Sequence, residues 1–294
     1  ERVYTPYQLT EPEEKILSEK SVTGSNAWTR FFTQLTSSMR YDFDGQKLNQ
    51  TQLMTRLYSP DRETRKKAAD AMTAGLHGKK MELTYIYNTI VADKASSDKL
   101  RGYPTWISSR NLDNKAPDAV VDALIKTVTS NYELVARHYR LKRTILGLDE
   151  LADFDRYAPL PLDDVDEERY TWSQAKDIIL NAFNAFSPDM GEVAGYFFDK
   201  NWIHAAVLPN KRGGAFASPV TPSAHPFVFV NFEGRARDVA TLAHELGHGI
   251  HMYLSGKANG LMGLYTPLTT AEMASVFGEM LVFSDLMRRE SRPK

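Results

Sequence analysis

One stretch of this sequence combines residue types and spacing that can do chemistry: His244-Glu245-Leu246-Gly247-His248. On an α-helix each residue advances about 100°, so His248 stands about 40° from His244 and both imidazoles share a face. Two histidines four residues apart can both bind one tetrahedral zinc ion, each at about 2.0–2.1 Å. Glu245 is turned aside from that ion. It can reach a zinc-bound water, whose pKa the metal lowers toward roughly 7, and take its proton as general base. Val239, Leu242, Leu246, Ile250 and Tyr253 fall between about 160° and 240° on the same wheel, so an apolar stripe faces a core while the imidazoles face away from it. Histidine is scarce, with seven in the chain, and an accidental H-E-x-x-H match is about a one-in-a-hundred event. Two unrelated surface histidines would leave that separation of faces without a reason.

A third ligand must be a later histidine or a carboxylate. His251 lies on the same face but nearly two turns from His244, which suits a hydrogen-bonded histidine behind the ligands better than a third corner of one tetrahedron. The longer H-E-x-x-H-x-x-G-x-x-H spacing is absent, since Leu254 stands where its last histidine would be. Glu272 and Glu279 are seven residues apart, about 20° from each other on a helix, with Ser275 on their flank. The spacing predicts a last helix beginning at Thr269-Thr270-Ala271-Glu272, capped by one of the threonines. The ordinary reading of Glu272 is then a helix-start acid, and that of Glu279 a mid-helix glutamate. Either carboxylate could instead complete the ligand set or orient a ligand imidazole. The turn Ser255-Gly256-Lys257-Ala258-Asn259-Gly260 brings this helix back against the first, and Gly247 leaves room for substrate or for that helix.

The elements that must position these groups are mostly helical. Ser25 or Asn26 caps a stretch through Trp28, Phe31, Phe32 and Leu35, and Pro60-Asp61 starts a long helix through Ala68, Met72, Leu76, Met81, Leu83, Tyr85 and Ile90. Residues 111–117 read as a loop. Residues 118–145 read as one long helix with Val121, Leu124, Ile125, Val128, Tyr132, Leu134 and Val135 as core, broken at Gly147. Residues 148–170 read as a linker or wrapping loop containing the acidic run Asp163-Asp164-Val165-Asp166-Glu167-Glu168, a solvated surface. Helices at about 172–186 and 188–200 follow. Ile203–Leu208 and Pro226–Asn231 then read as strands around the turn-rich Lys211–Phe216. The whole reads as a single, mainly α unit over 1–294: a helical part (1–147), the linker, and a zinc-binding part (171–294) with a small sheet beside the zinc helix.

Composition narrows the classes. The 294 residues carry 36 basic and 37 acidic side chains, net charge −1, and no cysteine. That balance gives no footprint for nucleic acid or an anionic membrane. Without cysteine, disulfide scaffolds, thiolate metal sites and cysteine nucleophiles are excluded. No apolar run is long enough to span a bilayer. Both ends read as cuts in a longer protein. No feature specifies an oligomeric state.

His244-Glu245-Leu246-Gly247-His248-Gly249-Ile250-His251 followed by Ala271-Glu272-Met273-Ala274-Ser275 resembles the thimet oligopeptidase family of zinc metallopeptidases, in its bacterial oligoendopeptidase F branch. Lys211–Phe216, Pro226–Phe232, Tyr157–Leu160 and Glu19–Ser25 are also similar to that branch. The resemblance implies one zinc ion on His244, His248 and Glu272, with Glu245 as general base and Glu279 behind the ligands. It implies a zincin-like helical fold, a deep channel, and short peptides paired to a strand edge near Gly213, Gly214 and Phe229, cut internally, in the cytoplasm. Family members are about twice this length and carry an oxyanion-stabilising tyrosine and histidine near the C-terminus. Nothing places Tyr265 in that role. Two other readings stay open: a zinc carboxypeptidase of similar fold, for which Arg235 and Arg237 would have to grip a substrate C-terminus, and a non-catalytic zinc-bound peptide-binding module. Cobalt or manganese suits the same donors.

Overall fold

Helix-forming segments joined by short turns account for most of the chain in the computed structural model, which describes residues 2–161 and 169–289. The acidic run at 163–168 lies outside the described residues. The chain divides into two compact units, Glu1–Pro161 with Pro209–Arg212, and Leu162–Leu208 with Gly213–Lys294. The main boundary falls inside the 148–170 segment.

The first unit holds α1 (Glu11–Ser21), α2 (Ser25–Ser38), β1 (Tyr41–Phe43), β2 (Gln46–Leu48), α3 (Gln50–Arg56), α4 (Arg62–His77), α5 (Lys80–Arg101), α6 (Ser108–Asp113), α7 (Asp118–Ser130) and α8 (Tyr132–Ile145). β1 and β2 form an antiparallel hairpin across Asp44-Gly45, both with positive φ, as a two-residue primed turn requires. Met39, Tyr41, Phe43, Leu48, Leu53 and Ala68 make its core. Asp61 caps α4 by accepting the Thr64 amide at 2.8 Å.

Several expectations need correction here. The helix expected through Ile90 is two, α4 and α5, broken after His77. Leu76, Met81 and Tyr85 are exposed. The loop expected at 111–117 begins inside α6. The helix expected over 118–145 is broken at Asn131, whose ψ of 12° departs from helical geometry. Leu124, Ile125, Val128, Tyr132, Leu134 and Val135 are exposed and not core. Apolar periodicity marks a helix face but does not say what covers it.

The second unit holds α9 (Trp172–Phe186), α10 (Pro188–Asp199), β3 (Ile203–His204), β4 (Phe216–Ser218), β5 (Phe227–Phe229), α11 (Ala236–Gly263) and α12 (Leu268–Arg289). Thr171 and Ser187 cap α9 and α10. The small expected sheet is present, in the order β3-β5-β4, with β3 parallel and β4 antiparallel to β5. The strands are shorter than expected, two or three residues each. In this register Ala217 and Val228 share the core side, while Phe216 and Phe229 stack on the other with ring centroids 4.8 Å apart. Ile179, Phe183, Phe197, Val228, Val239, Leu242, Leu246 and Val282 form the core under the motif helix. The architecture is mainly α with a small sheet beside that helix. No helix among the described residues is long and apolar enough to cross a membrane.

Candidate metal centre

The motif helix α11 begins two residues before Asp238. Asp238 sits inside the first turn, and its Oδ2 accepts the amides of Glu233 at 2.9 Å and Arg235 at 3.0 Å. This satisfies amides at a helix start that would otherwise lack partners. The predicted stripe is buried: Val239, Leu242 and Leu246 have no exposed surface, and Ile250 almost none. With that face fixed against the core, His244 and His248 are held on the other.

The returning helix differs from expectation in two ways. α11 runs on through the proposed turn, with Gly256 buried within it, and departs from helical geometry only at Gly260, where φ is 66°. α12 starts at Leu268, so Glu272 lies in its second turn and not its first. The helix-start reading of Glu272 therefore loses its basis.

α11 and α12 cross backbone to backbone. A Cβ at Gly247 would stand 2.6 Å from the Ala274 carbonyl oxygen and 2.8 Å from the Ser275 Cα, and one at Gly278 would stand 3.0 Å from the Ala243 carbonyl oxygen. No larger side chain fits at Gly247 without separating the helices. Of the two uses foreseen for its small size, the structure displays the close approach of a helix. The same crossing buries Ala271, Ser275, Gly278 and Val282 on α12.

That approach brings His244, His248 and Glu272 together, with one ligand atom from each, all within 4.8 Å of one another. Glu272 Oε2 lies 3.3 Å from His244 Nε2 and 3.6 Å from His248 Nε2. Ligands bound at 2.0–2.2 Å on a tetrahedral ion stand about 3.3–3.6 Å apart, so the donor types and the two separations from Glu272 fit zinc. On its other side His244 Nδ1 meets Glu279 Oε2 at 3.1 Å, a contact that turns Nε2 toward the shared centre. The buried Ser275 hydroxyl lies 2.9 Å from Glu272 Oε2. His251 is outside the three-residue group but near enough to influence His248 electrostatically.

Two buried polar atoms here lack a full hydrogen-bond partner, Glu245 Oε2 and His248 Nδ1. Burial pushes the Glu245 carboxyl up to about 7; nearby His244 opposes this, the Glu272 charge adds to it, and a hydrogen bond from the Ala217 backbone opposes it. Burial pushes the His248 imidazole down, partly offset by Glu272. Ala217 belongs to β4, so the sheet touches the site through a backbone amide. Among the strand-region residues singled out from the sequence, Gly213 and Gly214 precede β4, with the Gly214 carbonyl accepting from Asn231 at 2.9 Å, and Phe229 lies on the far side of the sheet from Val228. Sequence reading missed Ala217 and Gly278 altogether. The small residues Ala271, Ala274, Ser275 and Gly278, spaced three and four apart, signal the close crossing.

Comparison with known proteins identifies the family. The model for Peptidase family M3 matches residues 55–293, and that for Oligopeptidase F matches residues 1–41. The chain belongs to peptidase family M3. It is similar to oligopeptidase PepF of Bacillus subtilis, 28% identical over 286 residues, covering 94% of this chain and 42% of that protein. Group B oligopeptidase PepB of Streptococcus agalactiae is 25% identical over 289 residues, covering 96% and 47%. The solved structure of PZ peptidase A with an inhibitor shares the fold at a TM-score of 0.80 and 21% identity, over 89% of this chain and 47% of that one. The chain thus spans less than half the length of these relatives.

Proposed function

We propose that this chain provides the catalytic metal centre of a zinc-dependent endopeptidase that hydrolyses internal bonds of short peptides, with His244, His248 and Glu272 holding one zinc ion. The observation that carries the reading is the conjunction at one crossing of three converging ligand atoms with a buried carboxylate, Glu245, whose Oε2 has no partner. When bound, zinc supplies Lewis acidity and lowers the pKa of water toward roughly 7. Glu245 Oε2 accepts the proton of the attacking water and passes it to the leaving amine. Glu279, through its contact with His244 Nδ1, orients that imidazole; His251 sits behind His248. Substrate lies extended along the outer strand β4, whose Ala217 amide reaches Glu245, with Gly213 and Gly214 leading into it and Phe229 on the neighbouring strand. The names of the relatives, oligopeptidases, support short peptides as substrates. The reading carries with it a cytoplasmic site of action, which cell fractionation tests.

The experiment is cleavage of an internally quenched peptide blocked at both ends. The complete protein loaded with zinc should cleave it, a chelator should stop cleavage, and added zinc should restore it. Absence of cleavage alongside stoichiometric zinc binding would leave only a peptide-binding module. Release of single terminal residues from an unblocked peptide, with the blocked one intact, would point to an exopeptidase.

A further inference from the structure

We infer that Ser275 is a positioning residue for the third metal ligand, holding the Glu272 carboxylate at the point where both imidazoles meet it. The inference rests on the zinc reading above and adds to it a residue outside the H-E-x-x-H pair and the ligand set. Ser275 has no exposed surface, while the Glu272 side chain is 48% exposed. A glutamate with that much freedom loses rotamer entropy on being fixed, so a ligand in this position needs something to hold it. The Ser275 Oγ lies 2.9 Å from Glu272 Oε2, the same oxygen that faces His244 Nε2 and His248 Nε2. Oγ also lies 2.9 Å from the Glu272 backbone oxygen, the ordinary back-bond of a helical serine. The hydroxyl has one proton to give, and an ionised carboxylate is the stronger acceptor. The backbone of the serine is packed into the helix crossing, its Cα only 2.8 Å from where a Cβ at Gly247 would stand. Glu279 plays the matching part on α11's ligand, His244. Two side chains of α12 thus each fix one corner of the ligand triangle.

The test is zinc affinity, measured by competition with a chromophoric chelator, on the whole chain. Ser275→Ala should bind zinc about 10- to 100-fold more weakly than the parent, the usual effect of removing a group that orients a ligand. The melting temperature of the metal-free protein should stay unchanged, which separates positioning from a merely structural back-bond. In a Glu272→Ala background, Ser275→Ala should weaken zinc no further. Ser275→Gly removes the same hydroxyl without adding volume or a metal-binding group, and it should lose affinity in the same way. Parent-like affinity in the serine variants, or an equal loss with Glu272 already absent, would overturn the assignment. A parent chain that binds no zinc would instead remove the metal reading beneath it.

Discussion

Asp155 and Glu245 are both carboxylates withdrawn from water, and they are treated in opposite ways. Asp155 has no exposed surface and is surrounded by donors. Arg62 Nε reaches both its oxygens at 3.2 Å, Arg65 Nη2 one at 2.8 Å, and the Ala152 amide the other at 3.0 Å. Burial alone would raise its pKa, but these hydrogen bonds win and hold it down at about 2. Glu245 keeps an oxygen without a partner and stands at about 7. The difference separates a framework from a reactive group: a carboxylate with every lone pair engaged stays ionised and ties segments together, while one left short of donors can exchange a proton near neutral pH.

Four outcomes would break or sharpen that contrast. Glu245→Gln should lower the hydrolysis of the blocked peptide by about 10²–10⁴-fold while leaving urea unfolding no earlier than the parent's, since the lost charge had no full set of partners. A large loss of stability would mean that Glu245 belongs to the framework after all. Asp155→Ala should do the reverse. It should destabilise the first unit by about 3–5 kcal/mol, because the nearly buried Arg65 loses its charged partner. Urea midpoints followed by circular dichroism would read this, and zinc affinity at the motif of the second unit should not change.

Acid offers a milder form of the same experiment. The Asp155 pKa in the folded chain lies below its ordinary value of 3.8, so its contribution is complete above about pH 4 and is lost as pH falls toward 2. The stability gap between the parent and Asp155→Asn should therefore narrow by about 2 kcal/mol over that interval. A gap constant with pH would show that the arginines do not hold the charge. The smallest effect belongs to Arg62→Ala. Its side chain is 45% exposed and Arg65 remains in place, so a loss of about 1 kcal/mol is expected from the same urea titration.

The two carboxylates also differ in how well the sequence announced them. The proposed role of Glu245 was legible because a metal pair would impose a four-residue period, and an apolar stripe must share the helix with it. Both constraints are local and fall on adjacent residues. Glu272 was legible as one of two candidates, although its place in α12 was misjudged, since Leu268 starts the helix before either threonine. Asp155 was invisible: its partners lie some ninety positions earlier, at Arg62 and Arg65, and nothing local distinguishes it from a surface acid. The helix breaks at Gly78 and Asn131 were missed for a related reason. Apolar periodicity continues across them and gives no sign of where one helix ends and the next begins. Ala217 could not be read at all, because its contribution is a backbone amide that any residue except proline supplies.

The contact of α11 and α12 through Gly247 carries a kinetic consequence. A ligand on a long, free side chain can let go of an ion by rotating away, with the protein otherwise undisturbed. In the proposed zinc site the corner supplied by Glu272 would be carried by a helix whose backbone rests against that of the helix bearing His244 and His248. Widening the triangle through its backbone means prising the helices apart and opening the core beneath them. Ion escape by that route is coupled to local unfolding, so its rate should rise with temperature as steeply as an unfolding rate does, several-fold per ten degrees.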